Sequence, residues 1–157
     1  MIAKIRFKKF SQDWKKFVFN TGTYIIYGES GVGKSSLLDA FQGKRLKDSL
    51  NFEMNISLYP ALKVYRIFHN PDHQIIASTV SNEITFAGEC KQLDPKQLKE
   101  ILDRNLKYLP DHIDPMMNPG YLSGGEKELL NLVTALDFDP DILLVDDGLS
   151  FLSEENK

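Results

Sequence analysis

One run of eight residues constrains this chain more than any other: Gly28, Glu29, Ser30, Gly31, Val32, Gly33, Lys34 and Ser35. It fits the phosphate-binding loop pattern Gly-x-x-x-x-Gly-Lys-Ser/Thr without a gap. The glycines let successive backbone N–H groups curl around phosphates where a Cβ would obstruct. Lys34 supplies a mobile point charge for the outer phosphates. The Ser35 hydroxyl is the expected Mg²⁺ ligand. Upstream, Tyr24-Ile25-Ile26-Tyr27 reads as a short buried strand. Downstream, Ser35 and Ser36 open a helical stretch through Phe41, so a positive helix end meets the phosphates.

The rest of the chain admits this loop. A length of 157 residues suits one domain with a real core. The net charge of −3 gives no case for direct nucleic-acid binding. The basic residues near the start (Lys4, Arg6, Lys8, Lys9, Lys15, Lys16) read as a solvated strand edge. Cys90 stands alone, which suits a reducing cytosol. No apolar run approaches the ~20 residues that span a bilayer, and no signal peptide opens the chain. Membrane association is therefore expected only through a partner protein.

Ile2–Phe7 alternates as a strand, and Phe17–Phe19 reads as another. A helix over Lys34–Gln42 is stopped by Gly43. Met54–Leu58 and Val64–Phe68 read as strands around Pro60. Glu83–Ala87 reads as a short helix closed by Gly88, and Pro95–Tyr108 as a second helix with Leu98, Ile101, Leu102 and Leu106 on its apolar face. Ser123 and Glu126 predict a capping box for a helix to about Leu136. Ile142–Val145 is an apolar strand ending in Asp146 and Asp147. Together these predict an α/β fold of the phosphate-loop NTPase type, with N-terminal antiparallel strands and a mainly helical insertion. The loop strand and Ile142–Val145 are expected to be buried parallel strands.

Asp146, at the carboxyl end of an apolar strand, is the expected Mg²⁺-holding acid. Asp147 can orient or deprotonate an attacking water, with one methylene less reach than glutamate. Ser123, Gly124, Gly125 and Glu126 form a second helix start suited to an anion. Two such tips in one chain suggest an ATP shared between two subunits.

With these motifs in this order, the chain resembles the ATP-binding subunit of ABC transporters. The segment Phe68-His69-Asn70-Pro71-Asp72-His73-Gln74 is similar to the Asn-Pro-Asp-x-Gln stretch of the energy-coupling-factor class of cobalt, nickel and vitamin importers. The resemblance implies a single nucleotide-binding domain, with a core of about 1–74 and 137–157 and a helical subdomain of about 75–136. It implies ATP and Mg²⁺ as cofactors, a homologous ATPase subunit as dimer partner, and an integral membrane transport protein that carries the substrate. It also implies a cytoplasmic, peripheral place on the inner membrane face. Phe10 is the aromatic assigned to adenine, with Phe7 and Trp14 as alternatives and core packing as its other reading.

Several positions depart from that family. His69 stands where a Gln usually senses Mg²⁺ and the attacking water, and Asp147 where the catalytic base is usually Glu. Ser153 replaces an Asp, and Glu126 replaces the commoner Gln. The family's switch histidine lies some tens of residues past the strand aspartate, and its last sheet strands follow; this sequence stops at Lys157. These departures suggest an unequal heterodimer, in which this chain hydrolyses ATP poorly at its own loop while its Ser123–Glu126 motif completes a partner's site. Two other readings stand beside it. One is a non-catalytic nucleotide-binding subunit. The other is a soluble ABC-type ATPase of DNA maintenance, which needs a long coiled coil that the roughly 90 residues between loop and Leu122 do not supply. An open sheet edge predicts marginal stability for the isolated monomer. Its unliganded thermal midpoint is expected well below the hyperstable threshold of about 90 °C, as calorimetry would show.

Overall fold

The alternating segment at the start of the chain forms strand β1 (Ala3–Lys9), the centre of a three-stranded antiparallel sheet. Strand β2 (Lys15–Phe19) pairs on one side with Ala3 opposite Phe19. Strand β3 (Phe52–Leu58) pairs on the other with Ala3 opposite Leu58. The computed structural model describes residues 3–9, 15–43, 52–58 and 62–147. The chain divides into two compact units, Met1–Val64 and Tyr65–Lys157.

In the first unit, helix α1 (Lys34–Phe41) follows the glycine-rich loop and buries Leu38 and Phe41. The Phe19 ring meets Phe41 edge-on at 5.7 Å and Tyr24 at 4.9 Å. The expected strand over Tyr24–Tyr27 is absent. That segment is irregular, with Ile25 86% and Tyr27 91% exposed. A strand exists through its ladder of backbone hydrogen bonds. Here the Tyr24 hydroxyl instead accepts the Asn20 N–H (3.0 Å), and no described strand pairs with the segment.

The second unit is built on helices. Strand β4 (Val64–Ile67) leads into a 3₁₀ turn, Pro71–His73, and then into α2 (Val80–Cys90) and α3 (Pro95–Asn105). A 3₁₀ turn over Leu106–Tyr108 follows. A further 3₁₀ turn, Pro119–Tyr121, precedes α4 (Gly124–Asp137) and strand β5 (Ile142–Val145). Val80 and Ile84 of α2, Leu130 and Val133 of α4, and Leu109, Ile113 and Leu122 between them form one buried cluster. Each such side chain contributes about 1.5–3 kcal/mol by leaving water. Strand β5 pairs with β4; of its four residues only Leu144 is buried.

Gly88 does not close α2 as its type suggests but lies inside it. A Cβ there would stand 2.7 Å from Leu98 Cδ2 and 3.0 Å from Ile101 Cδ1, so the glycine serves the close approach of α2 and α3. The far end of α4 is tied in by Asp137. Its carboxylate accepts from Asn105 and Arg104 of α3, and its carbonyl accepts from Lys91 Nζ (2.7 Å).

Glu83 lies in the first turn of α2 and is buried. It is 3% exposed, and Oε2 accepts the N–H groups of Ile76 (2.9 Å) and Ala77 (2.7 Å). Those two donors fix how the chain enters α2. Glu83→Ala leaves both without an acceptor and opens a void. A loss of about 2–4 kcal/mol is expected, read as a lower urea midpoint at unchanged slope.

Candidate functional site

The glycine-rich loop takes its shape from two left-handed residues, Gly31 (φ 78°) and Gly33 (φ 103°). Gly33 is the N-cap of α1 and provides no side-chain cap, and no acidic residue lies in the first turn. The other three α-helices among the described residues all start with a side-chain cap: Thr79 for α2, Asp94 for α3 and Ser123 for α4. A helix start without an internal acceptor keeps its first N–H groups and its partial positive charge for an outside anion. The first turn of α1 opens with Lys34, Ser35 and Ser36. Lys34 Nζ folds back over the loop and donates to the carbonyls of Gly28 (2.9 Å) and Glu29 (3.0 Å). An ammonium has three donors, so this posture holds the charge at the loop mouth with one donor remaining for a phosphate. Phe10, the residue assigned to adenine, lies outside the described residues, as does Ser153.

In the second unit, α4 begins with the capping box expected from sequence. Ser123 Oγ accepts the Glu126 N–H (3.4 Å), and Glu126 Oε2 accepts the Ser123 N–H (2.7 Å). His112 Nε2 lies 2.6 Å from Glu126 Oε1. Nothing in the motif points to His112, which comes from the loop before α4. The amides of Gly124 and Gly125, at the first two helical positions, have no intrahelical acceptor. This tip therefore differs from that of α1: it already carries a carboxylate, with an imidazole beside it.

The Asn-Pro-Asp segment is strapped to the same helix. Asn131 Nδ2 donates to the Pro71 carbonyl (2.9 Å), and Lys127 Nζ pairs with Asp72 (2.7 Å). Asn70 Oδ1 accepts the Asp72 N–H (3.0 Å) and sets the turn. Gln74 works as a strand neighbour to β4: Oε1 accepts the Phe68 N–H (2.7 Å) and Nε2 donates to the Arg66 carbonyl (3.0 Å). His69 is exposed between β4 and this turn.

Asp146 follows β5, and its N–H donates to the Ile67 carbonyl (3.0 Å). Its carboxylate is paired with Arg66, a β4 residue that sequence patterns did not single out. Asp147 is exposed and holds a left-handed backbone (φ 55°), a conformation aspartate tolerates better than most residues. A hard cation such as Mg²⁺ needs oxygen ligands carrying negative charge. As Asp146 stands, a guanidinium already occupies one of its oxygens, so this carboxylate does not fit Mg²⁺ with Arg66 in place. The predicted site residues thus fall into two groups. Gly28–Ser36 lie in the first unit; His69, Ser123–Glu126, Asp146 and Asp147 lie in the second.

The hydrogen bonds with Ser123 and the neighbouring His112 hold the Glu126 carboxyl below its ordinary value near 4.5. A depressed acid stabilises the fold above its unfolded pKa, and that contribution is lost as pH falls through the folded value. Lowering the pH from 6 to 3 should therefore remove the Glu126 contribution to the α4 cap. In Glu126→Gln, urea midpoints across the same range should fall less steeply than in the parent chain. The substitution keeps the capping box and removes only the charge at the helix start, which should cost about 0.3–1 kcal/mol at neutral pH.

Comparison with known proteins bears on the family and the fold. The ABC transporter family model matches residues 16–150. The energy-coupling factor transporter ATP-binding protein EcfA1 of Mycoplasma capricolum subsp. capricolum is 35% identical over 151 residues, covering 90% of this chain and 36% of that protein. EcfA1 of Streptococcus agalactiae serotype Ia is 29% identical over 139 residues, covering 84% of this chain and 50% of its own length. The chain thus spans between about a third and about a half of these curated relatives. Among solved structures, cbiO1 from Clostridium perfringens, part of the ABC transporter complex cbiONQ, superposes with a TM-score of 0.64 at 24% identity, over 82% of this chain and 55% of that one. A chain of an ABC transporter in an inward-facing conformation gives 0.65 at 20% identity, over 99% of this chain and 64% of its own. These two likenesses speak to the fold alone. With the phosphate-binding loop at the open start of α1, the Ser123–Glu126 motif at the start of α4 and a family match over residues 16–150, this chain belongs to the ABC transporter family, as an ATP-binding member similar to the energy-coupling-factor class.

Proposed function

We propose that this chain is the ATP-binding subunit of an energy-coupling-factor type importer. It works beside a second, homologous ATPase subunit and under an integral membrane protein that carries the substrate. The observation that carries this reading is the start of α1: a glycine cap, no acid in the first turn, and Lys34 folded over the loop mouth. The printed names of the relatives support the transporter class. No helix among the described residues is long and apolar enough to cross a membrane, which leaves attachment at the inner face to the membrane partner. Residues 1–157 form one nucleotide-binding domain in this reading, with the helical subdomain at about 75–136 and the core at about 1–74 and 137–157. The packing of α2, α3 and α4 about one cluster supports the helical part.

In this function, the amides of Gly31 to Ser36 and the Lys34 ammonium hold the ATP phosphates. Phe10 stacks on the adenine. A water attacks the γ-phosphorus in line, and the bond to the bridging oxygen of ADP breaks. Asp147 is the base for that water, an ineffective one because its side chain has one methylene less reach than glutamate. His69, next to the Asn-Pro-Asp turn on α4, couples the site to the helical part. Ser123, Gly124 and Gly125 offer their amides to the γ-phosphate of the partner's nucleotide.

The pair is unequal: ATP binds this loop and turns over slowly there. The exposed, left-handed Asp147 and the engaged Asp146 favour that asymmetry over two equal sites. They also support the second reading, a subunit that binds nucleotide without hydrolysing it. Single-turnover hydrolysis with and without the partner separates the two. Lys34→Ala is expected to weaken ATP binding to this chain at least about tenfold. It should reduce transport less than the same change in the partner's loop lysine. Unchanged ATP affinity overturns the nucleotide assignment, and equal transport losses overturn the asymmetry.

A further inference from the structure

The Asn-Pro-Asp turn meets α4 at two points of opposite character. Asn131 and Lys127 lie four residues apart, on one face of the helix. Asn131 is 2% exposed, and its Nδ2 donates to the carbonyl of Pro71, itself a buried residue (2.9 Å). A buried, uncharged hydrogen bond is costly to open and indifferent to salt. Lys127 Nζ instead pairs with Asp72 Oδ1 (2.7 Å), and the Asp72 side chain is 60% exposed. An ion pair open to water contributes little and is screened as salt rises. The turn keeps its own shape through three backbone N–H groups. Asp72 donates to Asn70 Oδ1 (3.0 Å), His73 to the Asn70 carbonyl (3.2 Å) and Gln74 to the Pro71 carbonyl (3.2 Å). The Gln74 side chain ties the exit of the turn to β4. The turn is thus a small preformed piece set between β4 and α4.

We infer that Asn131 and Lys127 are positioning residues for this turn: Asn131 is its fixed point on α4, and the Asp72–Lys127 pair is a latch that loosens as salt rises. With the latch closed, the turn and the first half of α4 move as one body. With it open, Pro71 stays on Asn131 while Asp72 and His73 loosen. Lys127 stands three residues after Gly124, the first residue of α4. The latch therefore joins the turn to the stretch of helix that follows the Ser123 cap. Its bearing on transport rests on the reading of this chain as an importer ATPase subunit; the latch itself does not.

Amide hydrogen exchange of the full chain, followed by NMR, tests the latch without nucleotide. Raising salt from about 20 mM to about 500 mM should speed exchange at His73 and Gln74 about two- to fivefold, relative to Leu130 and Val133 within α4. Lys127→Met keeps the stem and removes the charge, so exchange at the turn should be fast at both salts. Lys127→Arg keeps the charge and should restore both the slow exchange and its salt response. Asn131→Leu removes the donor at similar volume and should speed both turn amides at least about tenfold at either salt; Asn131→Ala is the second variant should Asn131→Leu not fold. No salt response in the parent, or the same response in Lys127→Met, overturns the latch. Unchanged exchange in the Asn131 variant overturns the fixed point. In the assembled importer, Lys127→Met should lower transport per ATP hydrolysed at least about twofold, and Lys127→Arg should recover it. An unchanged ratio overturns the positioning role in transport. Absence of ATP-driven transport by the parent assembly overturns the importer reading instead, and the exchange measurements still decide the latch.

Discussion

The apolar seam between α2 and α4 is the constraint on which the second unit depends. Val80, Ile84 and Leu130 have no exposed surface, and they lock the two helices side by side. With α4 held, its first turn has one place, and so do Ser123, Gly124 and Gly125. The Asn-Pro-Asp turn is then fastened to the same helix by Asn131 and Lys127. A segment read as a sensor and a segment read as a nucleotide contact therefore share one rigid support. Displacing the turn from α4 breaks the Asn131 and Lys127 bonds.

Helix starts divide the molecule by chemistry. Where a helix only needs ending, a side chain ends it: Thr79, Asp94 and Ser123 each accept from the third helical residue. Where the family binds phosphate, the cap is a glycine and the helix is left open. The α4 tip is intermediate. It has a complete capping box and still presents two glycine amides, with the charge of Glu126 set against His112. A glutamine at this position would cap without that charge. The net field at this tip is therefore less positive than the glycine pair alone would suggest.

Much of the candidate site was legible because phosphate recognition uses contiguous residues. A loop, its lysine and the following helix read directly from Gly28 to Ser36, and the capping box read from Ser123 and Glu126. What could not be read involves pairs far apart in the chain. Arg66 and Asp146 are separated by 80 positions, and no local pattern signals that a strand arginine will meet a strand-end aspartate. His112 beside Glu126 belongs to the same class. Gly88 was misread for a related reason: a glycine near a helix end usually stops the helix, but the approach of Leu98 and Ile101 gives it another task.

By itself, the sequence determined the family, the residues able to cradle a phosphate, and most element positions, since these follow from local geometry and period. The tertiary structure decided what those residues face. An apolar run becomes a strand only when another strand accepts its hydrogen bonds. Ile142–Val145 found β4, whereas Tyr24–Tyr27 pairs with no described strand. Likewise a carboxylate at a strand end is an available ligand only when nothing else holds it. Pairing and charge compensation are satisfied across space rather than along the chain, and so the partner of Asp146 appeared only in the fold.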